Sequence, residues 1–256
     1  MKQIVIDATK QKKLQKLLDD FYPKKNPYEA FSDNKKAAYA FVRAIGVKIC
    51  PYCNINYISP IFDEEGTEIL RPDIDHYFSK DIYPGLQLCL FNLIPSCSPC
   101  NQRLKKSIDF RAIPHLHPYF YDFDSVIRFY VDVKSANYLD ETAFALKFTR
   151  KSDDALKTDS QKKANQRVAS RAEENIKTFK LEERYQEHKD EVVLIFKKMK
   201  YYWRQKKLEI TRLLSGDEEP SSRLAMLDAI LFPEKDCDIN RVSLGKLKKD
   251  IICTYL

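Results

Sequence analysis

Four cysteines form two CxxC pairs, Cys50-Pro-Tyr-Cys53 and Cys97-Ser-Pro-Cys100. Two residues between thiolates let one tight turn aim both sulfurs at the same ion, and two such turns complete a tetrahedral four-thiolate zinc site. Between and just after the pairs lie Asp75-His76, Asn92 and Asn101, then Arg103, Lys105 and Lys106. These residue types suit phosphodiester hydrolysis. Carboxylate and amide oxygens are hard ligands for Mg2+ or Mn2+, and Asp75 and Asn101 offer them. A neutral imidazole, here His76, can take a proton from the attacking water. The basic residues Arg103, Lys105 and Lys106 can hold backbone phosphates.

Taken singly, each residue has a plainer reading. His76 could be a structural histidine at a strand end, Asn92 an amide that braces a turn, and Asn101 a helix N-terminal residue. The basic trio could be a solvated helix face. Their joint occurrence, bracketed by two cysteine pairs, separates the chemical reading from the plain ones.

The 43 residues between Cys53 and Cys97 exceed the loop of a simple zinc ribbon, so a structural unit must be built there. Asn54–Phe62 and Thr67–Phe78 are rich in β-type residues and flank the turn signal Asp63-Glu64-Glu65-Gly66, which predicts a hairpin. Strand alternation puts Asp75 and His76 on opposite faces unless the strand breaks. Asn101–Lys106 is expected to open a helix. Cys89, Cys237 and Cys253 are expected to be small core residues.

This pattern resembles the HNH, or ββα-metal, endonuclease family in its zinc-stapled form. The likeness rests on Cys50-Pro-Tyr-Cys53, Asp75-His76-Tyr77-Phe78, Asn92-Leu93-Ile94-Pro95 and Cys97-Ser-Pro-Cys100-Asn101 with Lys105 following, over about residues 47–108. It implies a small ββα-metal core with structural zinc; with helical spacing on both sides of that segment, the expected fold is α+β, the core flanked by N-terminal helices and a mostly helical C-terminal region. The resemblance implies His76 as general base, Asp75 and Asn101 as ligands of catalytic Mg2+ or Mn2+, and Asn92 as the brace of the loop that aims the histidine. Asn101 stands where the family more often has histidine, which favours hard metals. Pro51-Tyr52, Ile74–Phe78, Asn92–Cys97 and His117-Pro-Tyr-Phe120 are further similar to HNH proteins of Septu-type bacterial anti-phage systems. There the nuclease works beside an ABC/SMC-type ATPase.

The remaining sequence must position this core. Thr9–Asp20 and Tyr28–Ile45 keep helical spacing. Val131/Val133 and Phe144/Leu146/Phe148 alternate, predicting strands over Ser125–Val133 and Thr142–Thr149. Val192, Phe196, Met199 and Trp203 share a helical face that Leu213 and Leu214 continue up to Gly216, and six basic residues lie between Lys197 and Lys207. That stripe could follow a nucleic-acid backbone, meet an acidic partner or be a solvated face, and Tyr201, Tyr202 and Trp203 could stack on bases. His115 and His117 sit in a proline-flanked loop, with either a packing role or one near the substrate. Short helices are expected over Ser221–Leu231 and Val242–Ile252. The divisions are residues 1–46, 47–110, 111–155 and 156–256.

Composition narrows the class. The chain has 256 residues, 12% aromatic content and a net charge of +7, which is globular rather than disordered. Five glycines, at 46, 66, 85, 216 and 245, form neither a P-loop nor a GxGxxG fingerprint. No apolar run approaches membrane-spanning length, and no secretory leader opens the chain. The seven cysteines are an odd number and point to a reducing, cytoplasmic setting. The expected activity is metal-dependent endonucleolytic cleavage of DNA in anti-phage defence. The rivals are RNA cleavage and a zinc-stapled nucleic-acid or protein adaptor without catalysis. A double-strand break would need an oligomer or two cutting events.

Overall fold

The computed structural model describes residues 1–155, 158–202, 204–213 and 220–256. Trp203, Leu214 and Gly216 lie outside the described residues. The helices α1 (Ala8–Asp19), α2 (Pro27–Asp33) and α3 (Lys35–Ile45) open the chain. The helix expected over Tyr28–Ile45 is split at Asn34, which has extended backbone and caps α3 by accepting from the Ala37 N–H at 3.0 Å. An amide that can satisfy a free helix N–H favours a new start over continuation. Gly46 ends α3 in the left-handed region at φ +75°, where a Cβ would be strained.

The expected hairpin is only partly formed. β1 (Ile61–Phe62) pairs with β2 (Glu68–Leu70) around the Asp63–Gly66 turn. β3 (Asp73–His76) is a separate strand and pairs antiparallel with β4 (Leu93–Ser96), in the register Asp75↔Ile94 and His76↔Leu93. Pro72 separates β2 from β3, and a proline cannot carry a ladder N–H. β4 is buried throughout, which is why its apolar run hides the period of a strand. A wide π-helical turn, Pro99–Lys105, follows β4 in place of an α-helix.

After a short α4 (Phe123–Val126), β5 (Ile127–Val133) and β6 (Phe144–Arg150) form the antiparallel hairpin that alternation predicts. Then come α5 (Asp159–Thr178), α6 (Leu181–Gln186), α7 (Lys189–Tyr201), α8 (Arg204–Leu213), α9 (Pro220–Leu231) and α10 (Gly245–Tyr255). Val192 and Phe196 are buried and Met199 partly so, as their helical spacing predicts.

One continuous apolar core runs from α1 through the cysteine pairs and β5–β6 to α10. Asn54, just after the first pair, ties in the C-terminal segment. It is buried at φ +56°, its Oδ1 accepts from the Lys246 N–H at 2.9 Å, and its carbonyl accepts from the Leu244 N–H at 2.7 Å. Asparagine tolerates that conformation better than a bulky residue would. Cys89 and Cys237 are only partly buried and Cys253 is exposed, so α10 does not use Cys253 as a core residue. None of the described helices is long and apolar enough to cross a membrane.

Candidate functional site

The sulfurs of Cys50, Cys53, Cys97 and Cys100 are buried and lie within 4.8 Å of one another, close enough to hold a metal ion. Cys53 and Cys97 sulfurs are 3.9 Å apart. A tetrahedral ion with metal–sulfur bonds of about 2.3 Å needs sulfurs roughly 3.8 Å apart. Donors already point at the sulfurs: the Cys97 N–H lies 3.5 Å from Cys50 Sγ, and Arg184 Nη1 lies 3.3 Å from Cys100 Sγ. Cationic and N–H donors suit thiolates, so the residues present fit a thiolate-bound metal. Tyr52 stacks on Phe179 at 4.6 Å and the Tyr185 hydroxyl donates to the Cys53 carbonyl at 2.7 Å, so the C-terminal helices are built onto this cluster.

The cluster holds the ends of the segment that carries β3, β4 and the π-helical turn. The turn's side chains meet the strand in two rungs. On the outer rung Asn101 Nδ2 donates to Asp73 Oδ2 at 3.1 Å, and Gln102 Nε2 donates to the same oxygen at 2.9 Å. On the inner rung Lys105 Nζ donates to Asp75 Oδ1 at 2.7 Å and to Oδ2 at 2.9 Å. The match is geometric: residues two apart on a strand share a face about 6.6 Å apart, close to one turn of a helix.

Asp75 therefore faces the turn, and its partner is an ammonium. The Tyr52 hydroxyl donates to Asp75 Oδ2 at 2.6 Å, and Lys105 also donates to the His76 carbonyl. Burial pushes the Tyr52 phenol well above its ordinary pKa, and the Asp75 charge adds to the rise. Burial pulls the Lys105 ammonium down, and Asp75 opposes that. Lys105 is 3% exposed, so the reading of Lys105 as a phosphate contact is corrected: the wide turn folds it back onto Asp75. Arg103 and Lys106 are exposed, as that reading requires. Asp75 and Asn101 are not bonded to each other, since each is taken by a different rung. Sequence reading missed Asp73, although the two-residue strand period puts it on Asp75's face.

His76 is buried, and its Nε2 lies 3.0 Å from the Gln87 carbonyl oxygen. A carbonyl only accepts, so Nε2 carries the hydrogen and Nδ1 carries the lone pair. Desolvation lowers the pKa of His76, against the opposing pull of the Gln87 carbonyl and Asp75, which keeps the imidazole neutral. Tyr28 of α2 packs edge-on to the ring at 4.2 Å and donates its hydroxyl to the Ile74 carbonyl at 3.0 Å. Asn92 holds the loop that supplies Gln87. Its Oδ1 accepts from the Phe78 N–H at 2.7 Å, and its Nδ2 donates to the carbonyls of Phe78 and Leu86, each at 3.0 Å.

His115 and His117 are both buried. His115 binds the Ile113 carbonyl and the Thr178 hydroxyl, and His117 Nδ1 accepts from the Tyr119 N–H at 3.2 Å. Those bonds are packing roles. Of the basic run on α7 and α8, Lys207 is buried against Asp228 at 2.6 Å, whereas Lys197 and Lys200 are exposed.

No protein family, curated protein or solved structure matches this chain. What the geometry itself supplies is a metal-competent cysteine cluster beside a strand whose Asp73 and Asp75 face the turn, while His76, the next residue of the unbroken strand, packs against Tyr28 of α2.

Proposed function

We propose that the protein is an HNH-type endonuclease that hydrolyses phosphodiester bonds, with DNA as substrate and zinc in the cysteine cluster. The observation that carries this reading is the hydrogen bond from His76 Nε2 to the Gln87 carbonyl at 3.0 Å. It fixes the tautomer whose Nδ1 can accept a proton, and Asn92 fixes the loop that fixes the tautomer. A general base needs its tautomer fixed in this way.

His76 takes the proton of the attacking water at Nδ1, and the ring becomes imidazolium. The Gln87 carbonyl and the Asp75 charge stabilise that cation. Asp75 and Asn101, with Asp73 bonded to Asn101, are the hard-oxygen residues that would hold a divalent cation. Asp75 does so only by sharing or surrendering Lys105. Such an ion supplies charge neutralisation at the phosphoryl and leaving oxygens. Arg103 and Lys106, exposed at the end of the turn, contact flanking phosphates.

The rival adaptor reading is favoured by one feature, the closed Lys105–Asp75 pair, which a purely structural module would also hold. Plasmid and transfer RNA incubated with purified protein and Mg2+ or Mn2+ separate the readings. The nuclease reading expects DNA cutting that EDTA stops and that His76→Ala abolishes. Cutting by His76→Ala at the wild-type rate rejects the base. Preferential cutting of transfer RNA moves the substrate. The link to an ABC/SMC-type ATPase belongs to the same proposal, and co-expression with such an ATPase, followed by co-purification, tests it.

A further inference from the structure

A cavity of about 520 Å³ lies behind the loop that Asn92 holds, walled by Phe78, Phe91, Phe110, Phe120 and Tyr121. Its lining is mainly apolar, yet Arg111 and Arg171 stand at its edge. Phe120 is 53% exposed although it stacks obliquely on His117 at 4.5 Å, so an aromatic face is left open to solvent. The amide and imidazole side chains of the wall are spent internally. Asn92 makes three bonds to backbone, His115 binds the Ile113 carbonyl and the Thr178 hydroxyl, and His117 accepts from the Tyr119 N–H.

Arg171 continues outward into a second groove of about 740 Å³ that it shares with Pro114. Lys163, Arg167 and Arg171 line that groove at four-residue steps on α5, hence on one helix face about 6 Å apart. None of the three, nor Arg111, has a carboxylate partner among the described residues. The Arg171 guanidinium lies over the Tyr121 ring at 5.1 Å and donates to its hydroxyl at 2.8 Å. The acids of the groove are matched: Glu173 holds Arg150 and Glu174 holds Lys177. A row of unmatched cations leading to an aromatic cavity complements a polyanion that carries flat apolar rings.

We propose that this surface binds single-stranded DNA, with phosphates along Lys163, Arg167 and Arg171 and one unstacked base inserted beside Phe120 in the aromatic cavity. The inference rests on the nuclease reading for its choice of a nucleic acid among polyanions. Stacking tolerates any base, because every base has a π face. A duplex cannot insert a paired base without first opening. The buried amide and imidazole groups of the wall are already bonded, so the cavity offers a base its aromatic face, and the choice of DNA over RNA comes from the nuclease reading.

The test uses the full-length protein and a fluorescein-labelled run of 20 thymidines, with binding read by anisotropy between 50 and 300 mM salt and no divalent ion. Wild type should bind this strand more tightly than a 20-base-pair duplex. Phe120→Ala, at an exposed ring, should weaken binding at least about fivefold with little change in salt slope. Lys163→Ala/Arg167→Ala should weaken it and reduce the slope by about 1.4, two phosphate contacts' worth for a single strand. Lys197→Ala/Lys200→Ala removes the same charge elsewhere and should leave binding within about twofold of wild type. Equal loss in the α5 and α7 variants, or wild-type binding by both Phe120→Ala and the α5 variant, overturns the surface. Equal binding of a uridine run overturns the choice of DNA. Retained strand binding without Mg2+-dependent cutting fails the nuclease reading and leaves the surface standing. Cutting that the surface variants do not alter does the reverse.

Discussion

The Lys105 ammonium lies 2.7 Å from the Asp75 carboxylate, and the two residues are 3% and 4% exposed. This pair is the inner of two contacts that seat the π-helical turn on β3. Both charges are taken out of water, so either alone would be left uncompensated.

Lys105→Met should therefore destabilise the fold by about 3–5 kcal/mol, because the apolar isostere leaves Asp75 buried with only the Tyr52 hydroxyl as partner. Adding Asp75→Asn should recover a large part of the loss. Urea unfolding of the two variants checks this. A loss under about 1 kcal/mol for Lys105→Met would show that the pair is not closed in solution.

Cys97→Ser should lower the melting temperature and the metal content together. The cluster ties the ends of a 43-residue segment, and a structural metal contributes its binding energy to folding. A strong chelator should act on wild type in the same direction and have little effect on the variant. Elemental analysis alongside calorimetry reads both quantities, and unchanged metal content with unchanged melting contradicts the assignment.

Asn92→Ala removes three hydrogen bonds to the loop between β3 and β4. The expected cost is about 2–3 kcal/mol, since two carbonyls and one N–H lose a buried partner. The more specific sign is local. Amide exchange over Phe78–Gln87 should accelerate before the rest of the fold, and the His76 ring should lose its single tautomer in nitrogen-15 spectra. Uniform acceleration across the chain would make Asn92 a general core residue rather than the brace of His76.

The cysteine pairs were legible because their spacing is itself the chemistry. β5 and β6 were legible because one face of each is buried and one is wet, so alternation survives. β3 lies inside the extended segment expected over Thr67–Phe78, but its break from β2 at Pro72 and its pairing with β4 were not legible, because β4 is buried throughout and has no period to read. The fate of Lys105 was hidden for a different reason. Its sequence neighbours Arg103 and Lys106 are exposed, and only the wide turn Pro99–Lys105 brings Lys105 inward. Asp73 could have been found from its distance of two residues from Asp75, but its partner Asn101 could not.

His117 provides a pH dependence that one substitution can isolate. Burial, helped by the Lys105 charge and opposed by the Phe91 carbonyl, pushes its pKa down to about 4, against about 6.5 in an unfolded chain. Between those values the unfolded state binds more protons than the folded state, so stability rises with pH. The contribution is fully present above about pH 6.5 and lost as pH falls towards 4, a change on the order of 3 kcal/mol. His117→Asn keeps an acceptor for the Tyr119 N–H and cannot titrate. Its melting temperature should fall less steeply than that of wild type between pH 7 and pH 4.5. It should still fall, because burial also lowers the pKa of His76 and His115. Parallel curves for the two proteins would mean that His117 titrates in the fold as it does in the unfolded chain, with its ring out of the aromatic wall.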